Sequence, residues 1–328
     1  MTGRAARLVV MMIRPPVAAL LLLFAALGMA PAGRADGLHP LFTTVLVIVG
    51  GWFIHATVLN DVADEAIDRV NLASARGRPL VSGDATRRQL LALGNTAGLV
   101  ALALAWSENW RVGLVVAAGL ALNAVYSLGP VRISHRGAMA SILLPLGYVA
   151  LPYLVGALSV KPSLDRSDVV LLAGLYITFM GRILLKDFRD VTGDQLFGKR
   201  TFLLRHGREV TCVVSAICWI AGTATLLALI PVRSLLMAAF AVYLACALHG
   251  LHRLATTKGF IAEQVTIGAI AQIGRGMAIT LLAHFTMLHQ GWSTAGRGLV
   301  VVTLAVFFAG MYAVTLAQRD RVLAIRPY

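Results

Sequence analysis

The stretch PLFTTVLVIVGGWFIHATVLN, residues 40–60, is the clearest indication of fold class in this sequence. It contains no Asp, Glu, Lys or Arg, and its length matches the roughly 20 residues that a helix needs to cross a bilayer. Its apolar residues do not alternate with polar ones, as they would in a strand of a membrane barrel. The stretch therefore predicts a membrane-spanning α-helix.

The rest of the chain has the same apolar character. Of its 328 residues, 58% are apolar and 13% are charged, whereas an ordinary soluble domain is about 25% charged. The sequence therefore predicts a single all-α domain over residues 1–328, a polytopic membrane helical bundle of nine to ten helices around a central cavity. We expect two pseudo-related halves, with similar acidic motifs near residues 60–68 and 187–194. The candidate spans are residues 10–33, 40–60, 88–106, 110–128, 138–158, 168–187, 210–230, 234–252, 262–288 and 297–317.

The first candidate span has two interpretations. Its basic start, its apolar run and the small residues near Ala35 also resemble a secretory signal peptide. A retained helix is favoured, because Arg14-Pro15 lies early in the stretch and the next span follows almost at once.

The formal net charge of +14 comes mainly from basic residues in short loops between apolar runs. Such loops follow the positive-inside rule, so the charge predicts membrane orientation and not nucleic-acid binding. With a cytoplasmic N-terminus, loops 61–88, 129–137 and 186–209 all lie on the cytoplasmic side. Because the composition is rich in Ala, Arg and Val, we expect a multi-pass protein of a bacterial cell membrane, embedded in the lipid bilayer.

Six of the chain's 15 acidic residues stand in two copies of the pattern Asp-x-x-Asp-x-x-x-Asp. On a helix, the three positions of one copy lie within roughly 60° of one another, so each copy crowds three carboxylates onto one face. Such crowding is costly unless a cation binds, and oxygen ligands suit Mg²⁺ that is shared with substrate phosphates. The candidate metal ligands are Asp61, Asp64 and Asp68 in the first copy and Asp187, Asp190 and Asp194 in the second.

Neighbouring residues extend both acidic motifs. Asn60 lies on the face of the first copy, where its amide oxygen would be a further cation ligand. In the second copy, Gly193 is a candidate helix break that would place Asp194 in a turn. Lys186 and Lys199 flank this copy and are candidate donors to phosphate oxygens. The alternatives are a solvated helix end for the first copy and an ordinary salt-bridged loop for the second.

Other polar residues also lie within or beside the spans. Tyr126 ends the fourth span, where tyrosines are equally common as membrane-interface anchors. Charges at membrane depth are costly and face cavities by default. We therefore expect Arg182 to point toward a bound diphosphate. Arg275 would contact a substrate or form an interhelical hydrogen bond.

Four motifs, taken in order along the chain, resemble those of the UbiA-type intramembrane prenyltransferases. They are NDxxDxxxD at 60–68, RPxxSG at 78–83, YSxxPxR at 126–132 and DxxDxxGDxxxGKRT at 187–201. Arg14-Pro15 in the first span fits the family as well. The family usually has nine spans and carries Leu-Lys where this chain has Ile133-Ser134. The phosphate contact of that lysine would then fall to Arg132 or Arg136.

The resemblance implies an enzyme that binds an isoprenoid diphosphate through Mg²⁺ and transfers the prenyl group to an acceptor. By resemblance, Asn60 and the first acidic motif would hold one Mg²⁺, and the second motif the other. Asp64, Asp68 and Asp190 would be catalytic, and Tyr126 would face the reacting allylic carbon. The resemblance implies diphosphate contacts at Arg78 and Lys186, and the further candidate substrate contacts are Arg132, Arg182 and Lys199.

The sequence therefore predicts Mg²⁺-dependent prenyl transfer from an isoprenoid diphosphate to a small acceptor, aromatic or a quinone precursor, at the cytoplasmic face. A terpene cyclase, a diphosphate hydrolase or a polyprenyl-phosphate sugar-phosphate transferase would use similar motifs. A cation transporter is disfavoured, because carriers place their ion sites near the bilayer midplane and both acidic motifs lie at helix ends.

Overall fold

A computed structural model describes residues 2–33, 40–71, 77–230 and 234–325 of the chain. Ala35, the residue near the alternative signal-peptide cleavage site, lies outside these ranges. The described residues form helices and short connections and contain no strand, which confirms the all-α prediction. The α-helices are α1 (Thr2–Ile13), α2 (Pro15–Met29), α3 (Pro40–Ala63), α4 (Glu65–Asn71), α5 (Pro79–Ser82), α6 (Arg87–Glu108), α7 (Trp110–Ser127), α8 (Ala138–Pro145), α9 (Leu151–Val160), α10 (Arg166–Ile183), α11 (Asp187–Leu196), α12 (Phe202–Leu227), α13 (Leu235–Thr256), α14 (Phe260–His289) and α15 (Thr294–Ile325).

Ten segments within the described ranges are helical, long and apolar enough to cross a membrane. Each overlaps one of the ten predicted spans, so the chain is a multi-pass membrane protein with ten candidate spans. The segments are Pro15–Ala32, Phe42–Ala63, Arg87–Glu108, Trp110–Ser127, Ala138–Val160, Arg166–Leu196, Phe202–Leu227, Leu235–Thr256, Phe260–His289 and Thr294–Gln318.

The first span begins later than residue 10, the predicted start. Helix α1 ends at Ile13, and Arg14 adopts a left-handed backbone conformation with φ 45° before α2 starts at Pro15. Proline lacks an N–H and disfavours a helical residue before it, so the pair Pro15-Pro16 starts a new helix. The consequence is a short amphipathic helix α1, separated by Arg14 from the spanning helix α2.

The chain divides into two compact units. Unit 1 comprises Met1–Ser163 and Asp190–Thr201, and unit 2 comprises Leu164–Arg189 and Phe202–Tyr328. In unit 1, α3 packs against α6 and α2 packs against α9. The second pair approaches closely, since a methyl group at Gly156 would lie 2.0 Å from the carbonyl oxygen of Ala25. Small residues of this kind are the common means of helix packing in membranes.

Unit 2 is held by similar close packing and by polar pairs between helices. Helix α10 packs against α12, and α14 packs against both α13 and α15. Tyr243 and Thr280 are hydrogen-bonded at 2.8 Å, and His249 is hydrogen-bonded to Tyr312 at 2.9 Å. These pairs join α13 to α14 and α13 to α15.

The first acidic motif does not lie on one continuous helix, as its spacing had suggested. Helix α3 ends at Ala63, Asp64 lies at a bend, and α4 begins at Glu65. Backbone hydrogen bonds still span the bend, from Asp64 N to Asn60 O at 2.9 Å and from Asp68 N to Asp64 O at 2.8 Å. The backbone therefore keeps helical hydrogen bonds from Asn60 to Asp68, although Asp64 lies at a bend.

The prediction that Gly193 breaks the second motif is wrong. Helix α11 runs from Asp187 to Leu196 through this glycine, because an interior glycine costs a helix only about 1 kcal/mol. The helix ends instead before Gly198, which has φ 64°. Lys199 N then bonds to Asp194 O at 2.8 Å, as is typical of a glycine-terminated helix. Asp194 therefore lies within a helix and not in a turn.

Candidate functional site

The carboxylates of the first acidic motif are buried in unit 1. Asp61, Asp64 and Asp68 are 3%, 6% and 8% exposed. Charged side chains are almost never buried to this extent unless they are paired. Their partners therefore define the site.

Two arginines meet Asp61. Arg14 Nη2 donates to Asp61 Oδ1 at 2.5 Å, and Arg78 Nη1 donates to the same oxygen. Arg78 also lies 3.3 Å from Asp68 Oδ2. The backbone of Arg78 is held at the start of the short helix α5, because Arg78 directly precedes Pro79, the first residue of that helix. The loop carrying the basic head of the RPxxSG motif thus folds onto the first acidic motif.

Asp64 is surrounded by four polar or basic side chains. Arg132 Nη2 donates to Asp64 Oδ1 at 2.8 Å, and His135 Nε2 is 3.7 Å from the same oxygen. Asn60 Nδ2 donates to Asp64 Oδ2 at 3.4 Å, and Lys199 Nζ lies 3.6 Å from that oxygen. Residues from motifs that are far apart in the sequence therefore meet at one carboxylate.

Lys199 connects the two acidic motifs within unit 1. Its ammonium nitrogen is 3.2 Å from Asp194 Oδ1 as well as 3.6 Å from Asp64 Oδ2. Asp194 is 1% exposed, and the Lys199 side chain is 11% exposed. One buried positive charge thus lies between carboxylates from the first and the second motif.

The electrostatic environment differs between neighbouring aspartates. Burial alone would raise the pKa of Asp64, but the nearby His135 and the charges of Lys199 and Arg132 hold that pKa well below its usual range. Burial raises the pKa of Asp68 to about 6, and the carboxylates of Asp61 and Asp64 add to this rise while Arg78 opposes it. Burial therefore disfavours the charged form of Asp68, whereas the polar and basic neighbours of Asp64 favour its charged form.

No three Asp, Glu, His or Cys side chains converge as a ready metal cluster in the part of the chain that the structure describes. The carboxylates instead face Arg and Lys side chains. The residues nevertheless fit a hard divalent cation, whose preferred ligands are carboxylate and amide oxygens. Asp61 Oδ2 is buried without a hydrogen-bond partner, and burial disfavours the charged form of Asp68, so a bound cation would stabilise both carboxylates.

Four other predicted site residues lie on helices α7, α10 and α11 or in the short turn between α10 and α11. Asp190 is half-buried on the part of α11 that belongs to unit 1, and Tyr126 is half-buried in the last turn of α7. In unit 2, Lys186 Nζ lies 3.8 Å from Asp187 Oδ1. Arg182 stacks on the ring of Phe179, with its Cζ 5.3 Å from the centroid.

Of the two proposed replacements for the family's lysine, only one reaches the aspartates described above. Arg132 binds Asp64, whereas Arg136 is exposed and its Nε donates to the carbonyl oxygen of Val131 at 2.6 Å. Both lie in the segment that follows α7. A left-handed backbone at Arg132, with φ 38°, helps to turn the chain at this point.

Two residues of the site were not predicted as substrate or metal contacts. Arg14-Pro15 fits the family resemblance, but the sequence predicts no contact between Arg14 and Asp61. His135 had no signal, because its approach to Asp64 depends on how the chain turns after α7.

The chain matches the model of the UbiA prenyltransferase family over residues 19–263 and belongs to that family. This confirms the resemblance carried by the four motifs. The bacteriochlorophyll synthase 34 kDa chain of Chloroflexus aurantiacus is 28% identical over 152 residues, which are 46% of this chain and 47% of that protein. The homogentisate phytyltransferase of Synechocystis sp. is 28% identical over 176 residues, 50% of this chain and 56% of that protein. The matched region thus spans about half the length of these relatives.

Solved structures share the fold over more of the chain. A structure of digeranylgeranylglyceryl phosphate synthase has a TM-score of 0.66 at 15% identity, covering 86% of this chain and 99% of that one. A UbiA homologue from Archaeoglobus fulgidus, bound to DMAPP and Mg²⁺, has a TM-score of 0.58 at 14% identity and covers 94% and 99% of the two chains. At these identities the likeness establishes the helical fold alone.

Proposed function

We propose that this protein is a prenyltransferase that moves a prenyl group from an isoprenoid diphosphate to a small aromatic or quinone-precursor acceptor. The observation that carries this proposal is the buried site in unit 1. There, aspartates from both acidic motifs lie among the arginines and the lysine of the neighbouring motifs. Lys199, between Asp64 and Asp194, is the contact that joins the two motifs.

The relatives support the same reaction class. Two are named for bacteriochlorophyll synthesis and for phytyl transfer to homogentisate, which is an aromatic acceptor. The archaeal homologue is bound to a prenyl diphosphate and Mg²⁺. Our proposal carries these properties over to this chain.

Mg²⁺ is the proposed cofactor, with Asn60, Asp61, Asp64 and Asp68 as one ligand set. The second set is Asp187, Asp190 and Asp194. When bound, the ion supplies positive charge that neutralises the diphosphate as its bond to the prenyl carbon breaks. Asp61 Oδ2, which is buried and has no hydrogen-bond partner, is the proposed point of contact with the ion.

The basic side chains are proposed to bind the diphosphate oxygens directly. Arg78 and Arg132 present planar guanidinium groups, which match phosphate oxygens as well as they match the carboxylates they contact here. Lys199 adds a buried ammonium, and Lys186 and Arg182 are further proposed contacts. Their positive charge stabilises the leaving group after the carbon–oxygen bond breaks.

Tyr126 is proposed to face the allylic carbon. Its electron-rich ring would stabilise positive charge on the prenyl group by a cation–π interaction. The acceptor carbon then forms the new bond to the prenyl carbon, and its displaced proton passes to an aspartate or to the released diphosphate. The apolar spans account for the prenyl tail, which remains in a lipid-like environment while the diphosphate binds at the polar helix ends, on the side that we propose is cytoplasmic.

Prenyl transfer in isolated membranes tests the proposal. Labelled geranylgeranyl diphosphate and longer donors are incubated with Mg²⁺ and a panel of small aromatic acceptors, using the wild-type chain, Asp64→Asn and Asp190→Asn. Asp84→Asn is the matched control, because Asp84 lies outside both motifs and pairs with the exposed Arg7. We expect a labelled adduct with the wild type and the control, and loss of at least 100-fold in both motif variants.

Product analysis separates the alternatives. Metal-dependent release of diphosphate without an adduct would indicate a cyclase or a hydrolase in place of a transferase. Near-normal transfer by both motif variants would disprove the role of the aspartates. Failure to consume any donor would favour the transporter interpretation.

A further inference from the structure

Arg208 lies at a kink near the start of α12. Gly207 has φ 78° and ψ 175°, a conformation that glycine adopts far more readily than other residues, and it interrupts the helix there. Arg208 is the first residue after this kink, and its side chain is 24% exposed. A partly buried arginine needs partners for its donors, and those partners are other helix ends of unit 2.

The edges of the Arg208 guanidinium bind two helix termini. Nη1 donates to the carbonyl oxygens of Leu254 at 2.8 Å and Thr257 at 2.9 Å, at the end of α13. Nη2 donates to Glu263 Oε1 in the first turn of α14. Terminal carbonyls have no partner within their own helix, so Arg208 satisfies two of them while it neutralises a buried carboxylate. These bonds fix the plane of the guanidinium.

One face of this plane covers Phe188. Arg208 Cζ lies 5.1 Å from the centroid of the Phe188 ring. Phe188 is 4% exposed and directly follows Asp187, the first residue of α11. A cation–π contact that is partly shielded from water stabilises more than one that is exposed to water. The start of the second acidic motif therefore packs on a group that two other helices hold in place.

We propose that Arg208 is a positioning residue that fixes the side chain of Phe188 and thereby the first turn of α11, including Asp187. The inference rests on the proposed role of Asp187 as a metal ligand. Lysine at position 208 would keep the charge toward Glu263 but would lose the planar face and the forked donors.

The test compares Arg208→Lys, Phe188→Leu and their double variant, purified in detergent. Mn²⁺ affinity is measured by electron paramagnetic resonance, with kcat, KM and the apparent melting temperature. We expect Mn²⁺ affinity, and kcat at subsaturating Mn²⁺, to fall about tenfold in each single variant, which corresponds to the loss of a desolvated cation–π contact. Donor KM should rise in parallel because the donor binds through the cation, and the melting temperature should fall by only a few degrees. The Mn²⁺ affinity of the double variant should be no lower than that of the weaker single variant, because both substitutions remove the same contact between Arg208 and Phe188.

Two controls separate positioning from general packing. Phe188→Tyr keeps the aromatic face and should retain wild-type Mn²⁺ affinity. Tyr243→Phe removes the buried hydrogen bond to Thr280 elsewhere in unit 2 and should leave Mn²⁺ affinity unchanged.

Folded Arg208→Lys and Phe188→Leu proteins with wild-type Mn²⁺ affinity and kcat would overturn the positioning role alone. Fully multiplicative effects in the double variant would overturn it as well, because the two residues would then act independently. A wild-type protein that binds no Mn²⁺ and transfers no prenyl group would overturn the proposed function together with this inference.

Discussion

Lys199 provides a quantitative test of the buried site, because its positive charge stands between two carboxylates. We consider Lys199→Met, which keeps an unbranched side chain of similar length and removes the charge. The ammonium lies 3.2 Å from Asp194 Oδ1 and 3.6 Å from Asp64 Oδ2. Without it, both carboxylates lose a close positive partner.

The expected cost follows from the burial of the pairs. Removing one partner of a buried ion pair costs about 3–5 kcal/mol, and we expect about 3 kcal/mol here because Asp64 keeps Arg132 at 2.8 Å. The loss falls mainly on Asp194, which is 1% exposed. A loss of about 3 kcal/mol would lower the apparent melting temperature by about 5 °C or more in the absence of divalent cations.

Magnesium should reverse much of this loss if the aspartates bind it. A ligand at about 100 times its Kd stabilises a folded protein by about 2.7 kcal/mol. In the wild type, the ion competes with Lys199 for the same oxygens, so its stabilising effect should be smaller than in Lys199→Met. The assay is thermal unfolding of the purified protein in detergent, with EDTA and across a Mg²⁺ titration.

Lys258→Met is the matched control, because Lys258 is exposed. It should behave like the wild type under both conditions. The reasoning would be refuted if Lys199→Met melted at the wild-type temperature in EDTA and showed the same Mg²⁺-dependent rise. In that case Lys199 would not compensate the buried carboxylates.

Three further outcomes are expected. Gly156→Ala should destabilise the protein by about 1–3 kcal/mol in thermal unfolding, because its methyl group would meet the carbonyl oxygen of Ala25. Gly310→Ala, inside α15 with open space around it, should be neutral or stabilise by up to about 1 kcal/mol, and equal stability of the two variants would contradict the α2–α9 packing. Arg14→Gln should lower the melting temperature in EDTA by a few degrees, because Asp61 loses one of its two arginines, and an unchanged melting temperature would contradict a stabilising Arg14–Asp61 pair. EDTA should abolish turnover and excess Mg²⁺ should restore it; turnover that persists in EDTA would exclude the metal.

Most of the fold could be predicted because membrane helices are specified by long uninterrupted apolar runs. The ten spans and the approximate ends of each are visible in the sequence without tertiary information. The wrong predictions concerned where a helix bends or continues. The bend at Asp64 and the continuity of α11 through Gly193 depend on local hydrogen bonding that helix propensity does not determine.

The acidic motifs of the site could be predicted from the sequence, but the ion pairs that their aspartates form could not. The spacing of the aspartates identified the acidic motifs, and the order of the motifs identified the family. The positions of Arg14 and His135 beside them depend on packing between distant parts of the chain. No pattern in one sequence specifies that Lys199 lies between Asp64 and Asp194, because that contact joins residues more than one hundred positions apart.

Binding of an unreactive prenyl thiolodiphosphate tests most directly whether the aspartates hold a diphosphate through a divalent cation. The affinity of the thiolodiphosphate for purified wild-type protein and for Asp64→Asn is measured by isothermal titration calorimetry, once with Mg²⁺ and once with EDTA. We predict tight binding only for the wild type with Mg²⁺, and at least a tenfold weaker affinity in the other three conditions. Equal affinity in all four would contradict a cation-mediated diphosphate site.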